Sequence, residues 1–208
     1  MFNNKFKIQN HKKALVVDIL ELFALGLLIY IIITPIYPSI KYELGSKKGE
    51  AQDIEKVEQA IINIKDRLPS AEYAVSSNRV IITKIKVNAP IIEATNGDYA
   101  LSKGSWLLPE GSTPDKGSNT IITGHRFKYL PPNNLTFYLF HELEIGDIVS
   151  IIWQEKDYFY KIKEIKIVEK TDFSILEPSP EPILTMFTCE PIYSQDKRLV
   201  VVAELLGK

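Results

Sequence analysis

One stretch limits this chain more than any other: residues 14–33 are apolar except for Asp18 and Glu21, and 22–33 carry no charge at all. Twenty residues of helix span about 30 Å, the thickness of one hydrocarbon core. Lys5, Lys7, Lys12 and Lys13 precede the run with no acid among them, and Pro35 and Pro38 follow it. Proline in that place predicts the end of the helix. A buried helix of a soluble protein rarely carries so pure a basic flank. A cleaved signal peptide needs a small-x-small site, and Thr34-Pro35-Ile36-Tyr37 is a poor one. An uncleaved anchor fits best, with the basic flank kept in the cytoplasm and residues 39–208 outside. Asp18 and Glu21 lie in the N-terminal third of the run, where they can reach headgroup water or a partner. The expected division is a cytoplasmic flank (1–13), a transmembrane anchor (14–34), a juxtamembrane stalk (35–78) and a folded domain (79–208).

Within 50–68, Ile54, Val57, Ile61, Ile64 and Leu68 recur at steps of three and four before Pro69. That period predicts a helix, read as a spacer or as a helix packed on the main domain. After Asn78 the texture changes to short β-branched and aromatic runs between Gly, Pro, Asn and Asp clusters. Strands are expected near 79–87, 90–95, 119–123, 147–153, 158–168, 183–188 and 198–205. Tyr158, Tyr160 and Ile162 alternate with Phe159, Lys161 and Lys163, the two-residue period of a half-buried strand. No long helical period intervenes, so a closed barrel or a sandwich is expected rather than βαβ winding. Residues 126–144 form the longest stretch without a strand, with room for a helical turn or two.

Composition narrows function. Apolar types make 45% of the 208 residues and charged types 25%, which excludes a disordered tail, a collagen-like repeat and a multi-span membrane protein. With 25 basic against 26 acidic side chains there is no basic field for nucleic acid. Cys189 is the single cysteine, so no intramolecular disulfide can form. It closes the apolar run 183–188, where a strand meets the break at Glu190-Pro191. Nine residues on, Arg198 opens the run Leu199-Val200-Val201-Val202-Ala203. A strand, a turn and a returning strand would set a permanent positive charge beside the sulfur. Of the three histidines, His11 is in the basic flank, and His141 begins His-Glu-Leu-Glu-Ile, which is no metalloprotease helix. His125 follows Thr120-Ile121-Ile122-Thr123-Gly124, again a strand end, with glycine allowing close approach. A buried filler cysteine, a turn histidine and a solvated arginine are the plain alternatives. A metal site on His125, His141 and Cys189 matches no compact ligand spacing.

Four segments in order carry more: 119–126 (Asn-Thr-Ile-Ile-Thr-Gly-His-Arg), 143–149, 184–191 (Leu-Thr-Met-Phe-Thr-Cys-Glu-Pro) and 197–203 (Lys-Arg-Leu-Val-Val-Val-Ala). This series resembles the sortase family, over roughly 80–206, with Ala89-Pro90-Ile91 similar to its early strands. The Thr-Cys-x-Pro turn and the Arg nine residues on look more like the class D/E branches than the class B branch. The resemblance implies a closed eight-stranded sortase-type β-barrel with short helices, behind the anchor and stalk. It implies a cysteine transpeptidase: Cys189 as nucleophile, His125 as general acid and base, Arg198 at the substrate carbonyl or oxyanion, and Thr188 positioning substrate backbone. Substrates would be surface proteins with a C-terminal sorting signal of the Leu-Pro-x-Thr-Gly type, and acceptors would be an amine of a cell-wall precursor or a pilin lysine. Some members use calcium, but no acidic cluster of this chain maps onto such a site. Ile91, Ile92, Trp106, Leu107, Ile122 and Val200 are candidates for the peptide groove, Trp106 foremost as a large ring expected on a loop.

Three rivals stand beside this reading: a same-site hydrolase using water, a non-catalytic tethered barrel with Cys189 buried and inert, and a wall or pilus protein that is itself a substrate. The last would need a sorting signal and apolar tail, whereas the sequence closes Glu204-Leu205-Leu206-Gly207-Lys208.

Overall fold

The computed structural model describes residues 2–46, 78–128 and 135–207. The expected stalk helix at 50–68 lies outside the described residues. The chain divides into two compact units, Met1–Gly45 and Ser46–Lys208.

The first unit is one helix, α1 (Phe2–Ser46). Its segment Val17–Tyr37 is 21 residues long and apolar enough to cross a bilayer. The helix does not stop at Pro35 or Pro38, as expected, but runs through both. Proline removes one N–H from the helical ladder and crowds the preceding turn. Thr34 sets a hydroxyl donor in that turn, on the Tyr30 carbonyl at 2.6 Å. Helices suited to lipid tolerate proline where neighbouring groups satisfy the loosened backbone.

The second unit is a closed barrel of eight strands in the order β1-β2-β3-β4-β7-β8-β6-β5. The strands are β1 (Arg79–Ile82), β2 (Val87–Glu93), β3 (Ser105–Leu107), β4 (Asn119–Thr123), β5 (Ile148–Trp153), β6 (Lys156–Glu169), β7 (Ile183–Glu190) and β8 (Lys197–Gly207). The expected strand at 79–87 is two strands, because the chain turns at 83–86 with Lys86 at φ 58°. Two further elements were not expected: β3, only three residues long, and α2 (Gly97–Lys103), the crossover that makes β2 and β3 parallel. Asn96 caps α2 by accepting from the Tyr99 N–H at 3.0 Å. Seven residues hold too little helical period to be read from sequence.

The interior is largely apolar. Leu184, Met186, Val201, Ala203, Val80, Ile82 and Ile151 have no exposed surface, and burying each large aliphatic side chain stabilises by about 1.5–3 kcal/mol. Alternation along β7 and β8 then turns Phe187, Cys189, Arg198, Val200 and Val202 to the other face. Part of that face is covered by the 3₁₀ turn Phe173–Leu176, whose Ile175 packs with Val200 and Val202. Asn119 holds this cover, donating through Nδ2 to the carbonyls of Ile175 and Glu177 at 3.2 and 2.9 Å.

Candidate active site

β4 and β7 are parallel, in register from Asn119↔Ile183 to Thr123↔Phe187. Past that point backbone pairing gives way to side chains. Gly124 N–H still reaches the Phe187 carbonyl, at 3.4 Å. The Thr123 hydroxyl donates to the same carbonyl at 2.9 Å, and Thr188 donates to the Gly124 carbonyl at 2.8 Å. One rung further out, Arg126 Nη1 donates to Glu190 Oε2 at 2.8 Å. Each of these side-chain ties joins residues 64 apart in sequence. His125 and Cys189 have the same separation, and so occupy the rung between the Thr188 tie and the Arg126 pair.

The two side chains open on one cleft of about 240 Å³. His125, Arg126 and Phe127 line it from the β4 exit, Cys189 and residues 192–195 from β7 and its following loop. Cys189 is half-buried. A Cβ on Gly124 would lie 3.1 Å from the Phe137 ring, so glycine is what lets that ring close over the strand exit. Phe137 N–H also donates to the His125 carbonyl at 2.9 Å, fixing its backbone. Phe127 meets Tyr193 edge to face, centroids 5.1 Å apart, across the cleft from one loop to the other.

The hairpin expected from sequence brings Arg198 directly opposite Cys189 in the β7–β8 register. Residues opposite each other in an antiparallel pair share a face. The Arg198 Nη1 donates to the carbonyls of Gln195 and Lys197 at 3.1 and 2.9 Å, so the guanidinium also ties down the connecting loop. It does not line the cleft itself.

Electrostatics set the two flanking groups apart. Burial, helped by the positive charge of Lys128, holds His125 below its ordinary value of 6.5, with Asp98 opposing. Arg126 is 4% exposed. Burial pulls its pKa down, and the charge of Glu190 acts against that. Its Nε donates to the Tyr138 carbonyl at 3.0 Å, and its Nη2 lies 3.1 Å from His141 Nδ1. Arginine has no acceptor. In that contact His141 Nδ1 accepts from Arg126, and its Nε2 lies 3.1 Å from Glu142 Oε1. Among the described residues no three His, Cys, Asp or Glu side chains are grouped to hold a metal.

The expected groove is where sequence reasoning and structure part. Ile122 and Val200 are fully buried and Ile91 is 5% exposed, so all three belong to the packing of the barrel. Trp106 is not on a loop. It lies in β3, its Nε1 donates to the Ala94 carbonyl at 2.9 Å, and its ring covers Gly97 rather than the cleft. Thr188 is 1% exposed with its hydroxyl committed to the Gly124 carbonyl, so it braces the strand exit. The cleft walls come instead from Phe127, Ile192 and Tyr193, loop residues that show no strand period. Arg126 and Glu190 were also missed as a pair, although each directly follows a residue singled out from sequence.

The model of the Sortase domain matches residues 80–206. Sortase D of Bacillus subtilis is 32% identical over 123 residues, 58% of this chain, and the match spans 57% of that relative's length. In fold, the Sortase D5 transpeptidase of Clostridium perfringens superposes with a TM-score of 0.55 at 24% identity, over 72% of this chain and 89% of its own. Sortase E1 of Streptomyces coelicolor, solved with a tripeptide in its active site, gives 0.56 at 23% identity, over 64% and 88%. A closed eight-stranded barrel, a cysteine and a histidine on one rung at its rim, and a family match across nearly the whole barrel lead to one conclusion: the chain belongs to the sortase family.

Proposed function

We propose that this chain is a membrane-tethered cysteine transpeptidase that cuts a Leu-Pro-x-Thr-Gly type sorting signal near the C-terminus of a surface protein and passes the acyl group to an amine. The observation that carries this reading is the shared cleft of His125 and Cys189, with Arg198 across from the sulfur. Burial holds His125 below its ordinary value, which favours the neutral imidazole that takes the thiol proton. The Cys189 thiolate attacks the carbonyl before the scissile bond. Arg198 stands on the sulfur's side of the sheet as the charge that balances the oxyanion. Collapse expels the amine, which receives the proton from His125 imidazolium, and leaves a thioester on Cys189. An incoming amine, from a cell-wall precursor or a pilin lysine, gives a proton to His125, displaces the sulfur and forms the new amide. α1 would hold the barrel at the outer membrane face with the basic flank inside, and the Thr188-Cys189-Glu190-Pro191 turn favours a class D/E-like member.

The test is intact-mass analysis of the full-length protein with Leu-Pro-x-Thr-Gly peptides, with and without a diamine or pilin-type lysine peptide. A thioester on Cys189 that resolves to an amide is the expected result. Resolution to the free acid regardless of added amine would make the protein a hydrolase. No adduct, together with a Cys189 inert to iodoacetamide, would leave a tethered binding module.

A further inference from the structure

The His125–Cys189 rung is half-buried and polar, and the β4–β7 backbone pairing ends before it, although β7 still pairs there with β8 through Cys189↔Arg198. Thr188 braces the inner side, where strand pairing is still near. On the outer side the brace is Arg126, whose nitrogens reach the Tyr138 carbonyl, the Glu190 carboxylate and the His141 ring. These partners come from two separate segments, 138–141 and the end of β7. Arg126 is joined by a peptide bond to His125, and Glu190 to Cys189. A change in the Arg126–Glu190 separation is therefore passed to the two reactive residues. Such a buried ion pair is a poor source of net stability, since both charges lose their water, but it defines geometry sharply because guanidinium donors are directional.

We propose that Arg126 and Glu190, with His141 as the third support, are positioning residues that set the approach of His125 to Cys189. This inference rests on the transpeptidase reading above. Neither residue touches the reacting atoms in this role. Their effect is on the barrier, because a misplacement of about 1 Å can cost about a hundredfold in rate.

The experiment compares wild type with Glu190→Ala, Glu190→Gln and Arg126→Lys as full-length proteins, following steady-state transpeptidation of a sorting peptide. Glu190→Ala is expected to lower kcat by about ten- to a hundredfold with KM nearly unchanged, the pattern of a contribution felt only in the transition state. Glu190→Gln retains an acceptor for Nη1 and should recover most of that loss. Arg126→Lys keeps the charge but cannot serve three acceptors in a plane, and should fall with Glu190→Ala. Wild-type kcat in folded Glu190→Ala and Arg126→Lys would overturn the proposal. So would an equal loss in Glu190→Gln, which would assign the effect to charge alone, or a rise confined to KM. Should Glu190→Ala not fold, Arg126→Lys and Glu190→Gln decide the matter by the same criteria. A wild type that forms no adduct strikes the transpeptidase reading itself, whereas an active wild type with unaffected variants strikes only the positioning role.

Discussion

The β4–β7 pair is built differently at its two ends. At the Asn119 end, backbone bonds hold the strands, with Ile183 N–H on the Ser118 carbonyl at 2.9 Å, and Asn119 spends its amide on the cover above. At the Thr123 end the backbone bond has stretched to 3.4 Å, and hydroxyls and an ion pair continue the register. The first end borders a separate hollow of about 290 Å³ lined by Ser118, Asn119, Leu176 and Pro178; the second opens on the cleft with His125 and Cys189. A regular ladder uses up its polar groups and buries its side chains, so reactive groups can meet a substrate only where the ladder gives out. There, side chains must supply the order that backbone pairing supplies elsewhere.

The largest effect is expected at the open end. Cys189→Ala should abolish the covalent adduct, and surviving turnover would move the nucleophile elsewhere. His125→Ala should cost about 10²–10⁴ in kcat/KM, and Arg198→Ala about 10²–10³ by loss of oxyanion balance. A near-normal rate in either would detach that residue from the chemistry.

A matched pair of milder variants sharpens the contrast. Thr188→Val strands the Gly124 carbonyl, and Asn119→Ala strands those of Ile175 and Glu177. Each should destabilise by about 1–3 kcal/mol, seen as a drop in Tm of about 2–4 °C per kcal/mol. Only Thr188→Val should also slow the chemistry, by about tenfold, because only it loosens the reactive rung. Equal kinetic effects from both would mean that the two ends are not mechanically distinct.

The smallest effect is on pH dependence. With His125 below 6.5 in the free protein, the acidic limb of kcat/KM should have its midpoint below 6.5, since activity is gained as the imidazole loses its proton. Lys128→Met removes a positive neighbour and should raise that midpoint. Asp98→Asn removes a negative one and should lower it. A limb indifferent to both substitutions would mean that another group controls it.

Different parts of this arrangement were legible to different degrees. The Cys189–Arg198 juxtaposition could be read from local sequence, because a short hairpin joins the two strands and fixes their register. The His125–Cys189 rung could not be read from spacing. A parallel pair joins residues 64 apart with two other strands between, and only the resemblance in order and context brought the two together. The expected groove failed because an apolar strand residue has the same signature whether it faces a substrate or the core. Ile122 packs in the barrel interior and Val200 under the Ile175 cover on the other face, while the cleft walls rise from loops with no period to read.

Strand alternation, turn chemistry and the uninterrupted apolar run are local properties, set by which side chains neighbour one another along the chain. They were enough to determine a long apolar helix, a barrel or sandwich of short strands and the hairpin beneath the sulfur, and the resemblance chose the barrel. The passage of α1 through two prolines, the pairing of Arg126 with Glu190 and the choice of which apolar residues meet solvent depend on contacts between distant segments. Closing the barrel decides those, because only then is each buried donor matched to one acceptor and each hydrophobic face to one neighbour.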